Sequence, residues 1–190
     1  MEIRDYRKED EISWLRCRVL SFLDTSYYDD VMREKEVYQY PSIELVAIKD
    51  GMVVGLLDVE YEEEPNTICT AHETLGAMIW NLAVHPDYRR KGIGTALLKE
   101  AQKRLQENQI TYLEAWTRDD KGVQRWYLKN QFMKLSTYLH VYVNGTNGIK
   151  SQVKELILIQ SFCQYIGTDW EMIKQKYERV HECTGFVKPL

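Results

Sequence analysis

Residues 84–98 of the chain read Val-His-Pro-Asp-Tyr-Arg-Arg-Lys-Gly-Ile-Gly-Thr-Ala-Leu-Leu. An apolar run at 78–84 predicts a strand before a turn, and Gly92 and Gly94 open a stretch with helical periodicity. Glycine lets the backbone approach a ligand closely, and the first turn of a helix has unpaired N–H groups and a partial positive charge. Together with the basic residues at 89–91, this arrangement predicts a binding site for an anion such as a diphosphate.

Two familiar phosphate-binding motifs do not fit this stretch. The dinucleotide motif G-x-G-x-x-G needs a third glycine where the chain has Leu97, which disfavours a nicotinamide-binding domain. The P-loop motif G-x-x-x-x-G-K-[ST] needs a longer loop that ends in lysine. The pattern present is [Q/R]-x-x-G-x-[G/A], filled by Arg89, Gly92 and Gly94.

This pattern resembles the pyrophosphate loop of the GNAT superfamily of acetyl-CoA-dependent N-acetyltransferases. Residues 82–84 resemble the end of that family's fourth strand, and residues 126–132 resemble its F-Y-x-x-x-G-F segment, with Gln131 in place of the usual glycine. The resemblance implies an α/β (α+β) GNAT fold, in which helices flank a central, mixed and mostly antiparallel sheet. It also implies an acyltransferase that moves an acetyl group from acetyl-CoA to a primary amine.

The resemblance assigns acetyl-CoA to the loop and to the strand before it. Backbone N–H groups of residues 90–95 would take the pyrophosphate, and the strand end would pair with the pantetheine arm as an added strand does. A backbone N–H near Leu82 would polarise the thioester carbonyl. The predicted coenzyme-binding residues are Leu82, Ala83, Val84, Arg89, Arg90, Lys91, Gly92, Ile93, Gly94 and Thr95.

Tyr127 is the predicted general acid, because it matches the family's tyrosine that can protonate the coenzyme thiolate. A phenol and an alkyl thiol have comparable reference pKa values, so proton transfer between them is nearly balanced. The alternative interpretation is that Trp126 and Tyr127 pack the helix onto the sheet. Many relatives place an acidic base in the segment that matches 78–81, which here holds no carboxylate.

Glu114 is the predicted base, because Leu-Glu-Ala-Trp at 113–116 resembles the L-E-V-R context of ribosomal-protein alanine acetyltransferases. An ion-paired strand residue is the alternative interpretation of this glutamate. His72, Glu73 and a water chain to solvent are the other candidates for taking the amine proton.

The acceptor is indicated only indirectly. A cationic amine suits the acidic and aromatic residues at 24–30 and 60–64, together with Trp80. The alternative interpretation is that the two segments are solvated loops and that Trp80 packs in the core. Small amines, an amino acid, and a protein N-terminus or lysine all remain open. A non-catalytic sensor that binds acyl-CoA on the same fold is the alternative function, and the absence of a carboxylate at 78–81 favours it slightly.

Chain length, net charge and cysteine spacing exclude several classes of protein. The 190 residues suffice for one domain, and a net charge of −4 argues against binding nucleic acid through its phosphates. The four cysteines lack C-x-x-C spacing, so we expect reduced thiols and no metal. The start Met-Glu-Ile-Arg-Asp differs from a signal peptide, and the apolar runs are short. We therefore expect a cytoplasmic location without membrane contact.

The chain is predicted to form a single domain over residues 1–190. Asp50-Gly51 between two apolar runs predicts a hairpin, and a second short helix is expected through Lys35. Residues 144–177 are predicted to be an insertion between the last two strands, with a capping box at 168–171. The apolar residues of this insertion must be covered either by the chain's own cleft or by a second copy, which makes a homodimer possible.

Overall fold

The structure, a computed structural model, describes residues 1–145 and 148–190. Its strands are β1 Glu2–Asp5, β2 Ser42–Lys49, β3 Met52–Tyr61, β4 Gly76–Val84, β5 Tyr112–Thr117, β6 Met133–Asn144, β7 Gln160–Tyr165 and β8 Arg179–Pro189. Its helices are α1 Glu11–Phe22, α2 Ile93–Glu107, α3 Lys121–Lys129 and α4 Trp170–Lys176. The hairpin predicted at Asp50-Gly51 is confirmed, because β2 and β3 flank it as an antiparallel pair.

The strands form one eight-stranded sheet in the order β1-β2-β3-β4-β5-β8-β6-β7. Only β4 and β5 run parallel among the pairs of the described residues, because α2 joins them as a crossover helix. The predicted mixed and mostly antiparallel sheet with flanking helices is therefore confirmed. The strand β8 lies between β5 and β6, so it joins the two parts of the sheet.

The pairing between β4 and β5 is short, and this creates the feature on which the site depends. Gly76 to Ile79 pair with residues 112–115, whereas residues 81–84 pair only with β3. Next to the last pair, β4 has a bulge: Asn81 lies opposite Asp58 and Ile79 lies opposite Val59, so Trp80 has no partner. Beyond the bulge, one backbone edge of β4 therefore has no hydrogen-bonding strand beside it. We call this opening the β4–β5 gap.

Helices cover both faces of the sheet, as the alternation of Leu56 and Leu57 illustrates. Leu57 joins the core cluster that includes Leu97, Leu98 and Leu105 of α2, whose spacing places them on one helix face. Leu56 joins a second cluster with Trp14 and Cys17 of α1. Adjacent strand residues point to opposite faces, so α1 and α2 lie on opposite sides of the sheet.

Between β6 and β8 the chain forms β7 and α4. The strand β7 extends the sheet beyond β6. Asp169 caps the start of α4, because its side chain accepts a hydrogen bond from the Met172 N–H. Ile173 of α4 packs against Leu139, Val141 and Val143 of β6. The predicted insertion at 144–177 includes Thr146 and Asn147, which lie outside the described residues.

The short helix expected through Lys35 is wrong. Residues 30–41 contain no helix or strand, and the segment instead buries the Lys35 side chain against the rings of Tyr6, Trp14 and Tyr38. The contacts with Tyr6 and Trp14 come from distant parts of the chain and outweigh the weak local helical preference.

Candidate active site

The glycine loop follows β4 and opens α2. Gly92 is the residue before the helix and has φ +80°, a left-handed conformation that favours glycine. The first hydrogen bond of the helix joins the Ala96 N–H to the Gly92 carbonyl over 3.0 Å, so the N–H groups of residues 93–95 precede the helical hydrogen bonds. These groups form the positive end of a helix, which is suited to a phosphate.

Gly94 lies between the loop and the β4–β5 gap. A Cβ added at Gly94 would lie 3.6 Å from both the Trp126 ring and the Val84 side chain. The end of β4, the first turn of α2 and the helix α3 therefore meet at this glycine. A larger side chain there would project into the space that these three elements border.

The three basic residues of the loop have different surroundings. Arg89 donates a hydrogen bond of 2.7 Å to the Ser21 carbonyl and one of 3.4 Å to the Val84 carbonyl. Lys91 donates to the Asp87 carbonyl over 2.9 Å. The guanidinium of Arg90 has no hydrogen bond or ion pair within the part of the chain that the structure describes, and Arg90 itself has φ +64°. Arg90 is thus the residue with a side-chain charge available to a ligand.

Tyr127 is buried, with about 5% of its surface exposed, in the core cluster against which Leu82 and Val84 at the end of β4 pack. Its ring stacks on Phe186 at 5.2 Å and meets Phe132 edge-on at 5.1 Å. Burial raises the pKa of Tyr127, and the nearby Tyr27 raises it further. Burial also raises the pKa of Tyr27 to about 12, so both phenols keep their protons at neutral pH.

Glu114 is fully buried on β5, and donors surround both of its carboxylate oxygens. Oε2 accepts from the N–H groups of Thr70 and Ala71 at 2.9 and 3.0 Å, and Oε1 accepts from the Thr70 hydroxyl and the Trp116 indole at 3.1 and 2.7 Å. The role of Glu114 as a base stays a prediction. Its four hydrogen bonds favour a structural role, because a carboxylate engaged in this way holds the loop before β4 in place.

The acidic residues predicted to attract an acceptor divide into two groups. Asp29 forms a bidentate ion pair with Arg179, and Glu62 accepts from the backbone N–H groups of residues 68, 69 and 76. These two carboxylates hold the fold together. Glu60, by contrast, lies beside the exposed ring of Trp80 and accepts from its indole N–H over 2.7 Å.

The loop after α1 crosses from the β4 side of the molecule to the β5 side. At one end Arg18 contacts the Asp30 carboxylate at 2.9 Å. At the other, the Ser26 hydroxyl donates to Asp120, and the Tyr27 hydroxyl accepts from the Arg118 N–H. This loop therefore spans the β4–β5 gap on the α1 face of the sheet. Sequence reasoning missed this crossing, because its contacts join residues about ninety positions apart.

A buried polar network lies on the α1 face, behind Trp80. Asp58 is fully buried, and its Oδ2 accepts from the Tyr38 hydroxyl at 3.0 Å and lies 3.3 Å from the Lys35 ammonium. Burial raises the pKa of Asp58 to about 6, against the lowering effect of Lys35. Sequence reasoning missed this network, although one aspartate within the apolar strand at 52–61 was an available signal.

Comparison with known proteins identifies the family. A model described as the acetyltransferase (GNAT) family matches residues 5–132. The chain belongs to the GNAT acetyltransferase family. Among curated proteins, a Pectobacterium atrosepticum protein named as an acetyltransferase is similar, with 27% identity over 124 residues, or 63% of this chain and 78% of the relative.

Solved GNAT structures share the fold. PaiA N-acetyltransferase from Thermoplasma acidophilum, solved in complex with coenzyme A, has a TM-score of 0.53 at 19% identity and covers 70% of this chain and 89% of its own. NAA60 from Arabidopsis thaliana, solved with a bisubstrate analogue, has a TM-score of 0.60 at 16% identity, with coverage of 100% and 98%. At these identities the likeness concerns the fold alone.

The match to the GNAT family model ends where α3 meets β6, so the strands β6 to β8 and α4 lie outside it. Within the described ranges 1–145 and 148–190, no three His, Cys, Asp or Glu side chains are grouped closely enough to hold a metal ion. None of the helices described in those ranges is both long and apolar enough to cross a membrane.

Proposed function

We propose that this GNAT domain transfers an acetyl group from acetyl-CoA to a primary amine. The observation that supports the proposal best is the β4–β5 gap. The glycine loop follows one wall of the gap, and Leu82 and Val84 of that wall pack against the core cluster that contains Tyr127. An extended ligand with a diphosphate at one end and a thioester at the other suits this combination, because each part of it has a matching group.

The residues at the loop fit coenzyme A. The N–H groups of residues 93–95 and the free guanidinium of Arg90 suit the pyrophosphate. The unpaired edge of β4 at Leu82 to Val84 suits the amides of the pantetheine arm, which can pair with it as a strand does. Arg89 and Lys91 would contribute mainly through their charge and by shaping the loop, because their side chains donate to main-chain carbonyls.

Tyr127 is the proposed general acid. Acetyl-CoA supplies the acetyl group as a thioester, whose C–S bond breaks as a C–N bond forms to the amine. The hydroxyl of Tyr127 would hold the proton that the leaving sulfur takes up. Burial raises the pKa of Tyr127, so the phenol is protonated when the amine attacks, although the same shift makes it a weaker acid toward the thiolate.

The amine must lose its proton before or during attack, and Glu114 is the base that the sequence predicts. The four donors around its oxygens favour a second route, in which the proton leaves through water in the β4–β5 gap. Replacing Glu114 by Gln separates the two routes. Loss of the acidic limb of the pH profile of kcat/KM, where activity falls as a base becomes protonated, supports the carboxylate, and an unchanged profile supports water.

The deciding experiment follows free thiol release from acetyl-CoA with a panel of primary amines. An acetyltransferase releases thiol in proportion to the acetylated amine that mass spectrometry detects. A protein that binds acetyl-CoA tightly in calorimetry but acetylates none of the amines would instead be the sensor module predicted as the alternative.

A cytoplasmic location and a homodimer are part of the same proposal. Free cysteines at 17, 69, 163 and 183 suit a reducing compartment. Exposed apolar side chains in the segment between β6 and α4 suit contact with a second copy, namely Val153, Leu156, Ile157, Ile159, Phe162 and Ile166. Sedimentation equilibrium tests the homodimer, and a monomer at micromolar concentration would contradict it.

A further inference from the structure

A groove lies on the α1 face of the sheet, where the segment at 36–40 crosses the ends of β3 and β4. We call it the Trp80 groove. Its lining combines carboxylates and aromatic rings, and includes Glu36, Tyr38, Tyr40, Glu60, Ile68 and Trp80. Mixed linings of this kind, with a few polar groups among rings, are typical of small-molecule sites.

The Trp80 groove begins at the apex of the β4–β5 gap. Trp80 is the bulged residue that follows Ile79, and Ile79 forms the last pair between β4 and β5. One side chain therefore borders both the gap and the groove. A molecule whose amine reaches into the gap can place its remainder in the groove.

Negative charge dominates the groove and the polar groups behind it. Glu36 and Glu60 line it, and behind Tyr38 lies Asp58, whose Oδ1 is buried without a donor among the described residues. Two cations contact this network, and carboxylates engage both of them: Asp58 at 3.3 Å and Glu44 at 2.6 Å engage the Lys35 ammonium, and Asp30 at 2.9 Å engages Arg18, which donates to Asn81. The groove thus attracts cations, and low-dielectric walls strengthen that attraction.

The rings and one carboxylate are held in position before any ligand arrives. Glu60 accepts from the Trp80 indole over 2.7 Å with one oxygen and from the Tyr40 N–H over 2.7 Å with the other. Trp80 nevertheless keeps 51% of its surface exposed. An exposed indole fixed beside a carboxylate is suited to an ammonium group, which binds the ring face and the charge together.

Glu36 completes the site from the opposite wall. Its Oε2 accepts from the Asn81 amide at 2.9 Å and lies 3.2 Å from the Tyr38 hydroxyl, so the exposed carboxylate is anchored at one oxygen. The other oxygen has no partner among the described residues and is available to a ligand. An anionic acceptor would be repelled, and an uncharged chain would leave these carboxylates without a partner.

We propose that the Trp80 groove binds a second ammonium group of the acceptor, so that the preferred substrates are aliphatic diamines rather than monoamines. This inference rests on the proposed function, because it assigns the reacting amine to the gap. It adds that Glu36 and Trp80 determine specificity for the part of the acceptor that does not react.

The test compares two amines of equal chain length, 1,4-diaminobutane and butylamine, at saturating acetyl-CoA. We expect kcat/KM for the diamine to exceed that for butylamine by at least about tenfold, the factor that corresponds to one ion contact of about 1.4 kcal/mol. Glu36→Gln keeps an acceptor for the Asn81 amide and removes the charge. This variant should reduce the preference for the diamine about tenfold, because the KM for the diamine rises. The kcat for the diamine and both kinetic constants for butylamine should stay unchanged.

Glu34→Gln is the matched control, because this exposed glutamate lies two residues before Glu36 and does not line the groove. It should leave the preference intact. Equal kcat/KM values for the two amines, or a Glu36→Gln variant that keeps the full preference, would overturn the inference while leaving acetyl transfer established.

Calorimetric titration of 1,4-diaminobutane into the protein saturated with coenzyme A separates the two proposals. Binding that weakens in Glu36→Gln supports the groove even if no amine is acetylated, in which case the proposed function alone fails. Failure of the diamine to bind at millimolar concentration, with no acetylation of any amine, contradicts both.

Discussion

The guanidinium of Arg89 donates a hydrogen bond of 2.7 Å to the carbonyl oxygen of Ser21, sixty-eight positions earlier in the chain. Ser21 lies in the last turn of α1, and the loop that spans the β4–β5 gap follows it. The glycine loop is thus tied to the element that covers the gap. In this domain Arg89 acts as a link within the protein, whereas the neighbouring Arg90 faces solvent with a free charge.

This difference predicts distinct effects for two adjacent arginines. Arg90→Ala should raise the Kd for coenzyme A about tenfold, the usual scale for one charge-assisted hydrogen bond, with an unchanged melting temperature. Arg89→Ala should lower the melting temperature, because it frees the end of α1. Calorimetry and thermal unfolding measure the two effects, and Arg16→Ala on the exposed side of α1 is the control for charge. Equal effects of the two changes on coenzyme binding would contradict the assignment.

Gly94→Val should abolish coenzyme A binding while the protein stays folded. The added side chain enters the space between Val84 and the Trp126 ring, which lie 3.6 Å from the position of its Cβ. Because these are ordinary contact distances, the fold tolerates the Cβ, and the loss falls on the ligand. Calorimetry measures the binding, with Gly122→Val, where the Cβ meets nothing within 4 Å, as the matched control. Unchanged affinity in Gly94→Val would remove the loop from the site.

Tyr127→Phe should lower kcat by about 10²-fold with little change in the Kd for acetyl-CoA. The substitution removes the transferable proton and keeps the ring contacts with Phe132 and Phe186, so stability should hold. Steady-state kinetics at saturating amine provide the measurement. The control is Tyr112→Phe, another buried tyrosine, whose hydroxyl donates to the His72 carbonyl. A kcat equal in both variants would return Tyr127 to a packing role.

Asp58 should make the domain lose stability as the pH rises from about 4 to about 6. Burial raises its pKa in the folded protein to about 6, from 3.8, so the folded state binds the proton more tightly than the unfolded state does. The contribution of Asp58 to the free energy of unfolding is therefore largest below about pH 4. It falls by up to about 3 kcal/mol as the pH rises through about 6.

Urea unfolding of wild type and Asp58→Asn at pH 4.5 and pH 7 measures this effect. The free energy of unfolding of the wild type should fall relative to that of the variant as the pH rises. A difference between the two proteins that stays constant with pH would show that Asp58 ionises in the folded state as it does in the unfolded chain.

Truncation after Val143 should unfold the domain. It removes β8, which lies between β5 and β6 and pairs with both. Phe186 of β8 also packs against Tyr127, so the core would be exposed. Circular dichroism and gel filtration provide the measurement. A fragment 1–143 that stays monomeric and binds coenzyme A would show that the C-terminal segment is an appendage.

Local patterns in the sequence were sufficient to predict the loop, α2 and most of the sheet. The glycines at 92 and 94 and the periodicity after them depend on neighbouring residues, so the sequence displays them directly. The surroundings of Glu114 could not be predicted in this way, because its donors at Thr70 and Ala71 lie more than forty positions away. The burial of Lys35 has the same origin, since its partners come from β2, β3 and α1.

The position of β8 also determines when this domain can fold. During synthesis β5 and β6 emerge before β8, and until residues 179–189 leave the ribosome their facing edges have no partner. An unpaired edge beside an uncovered core is prone to association with other chains. The sheet is therefore complete only when β8 pairs with β5 and β6, from which it is distant in sequence. Contacts of this kind are associated with slow folding. The nascent chain should depend on chaperone protection until its last strand inserts.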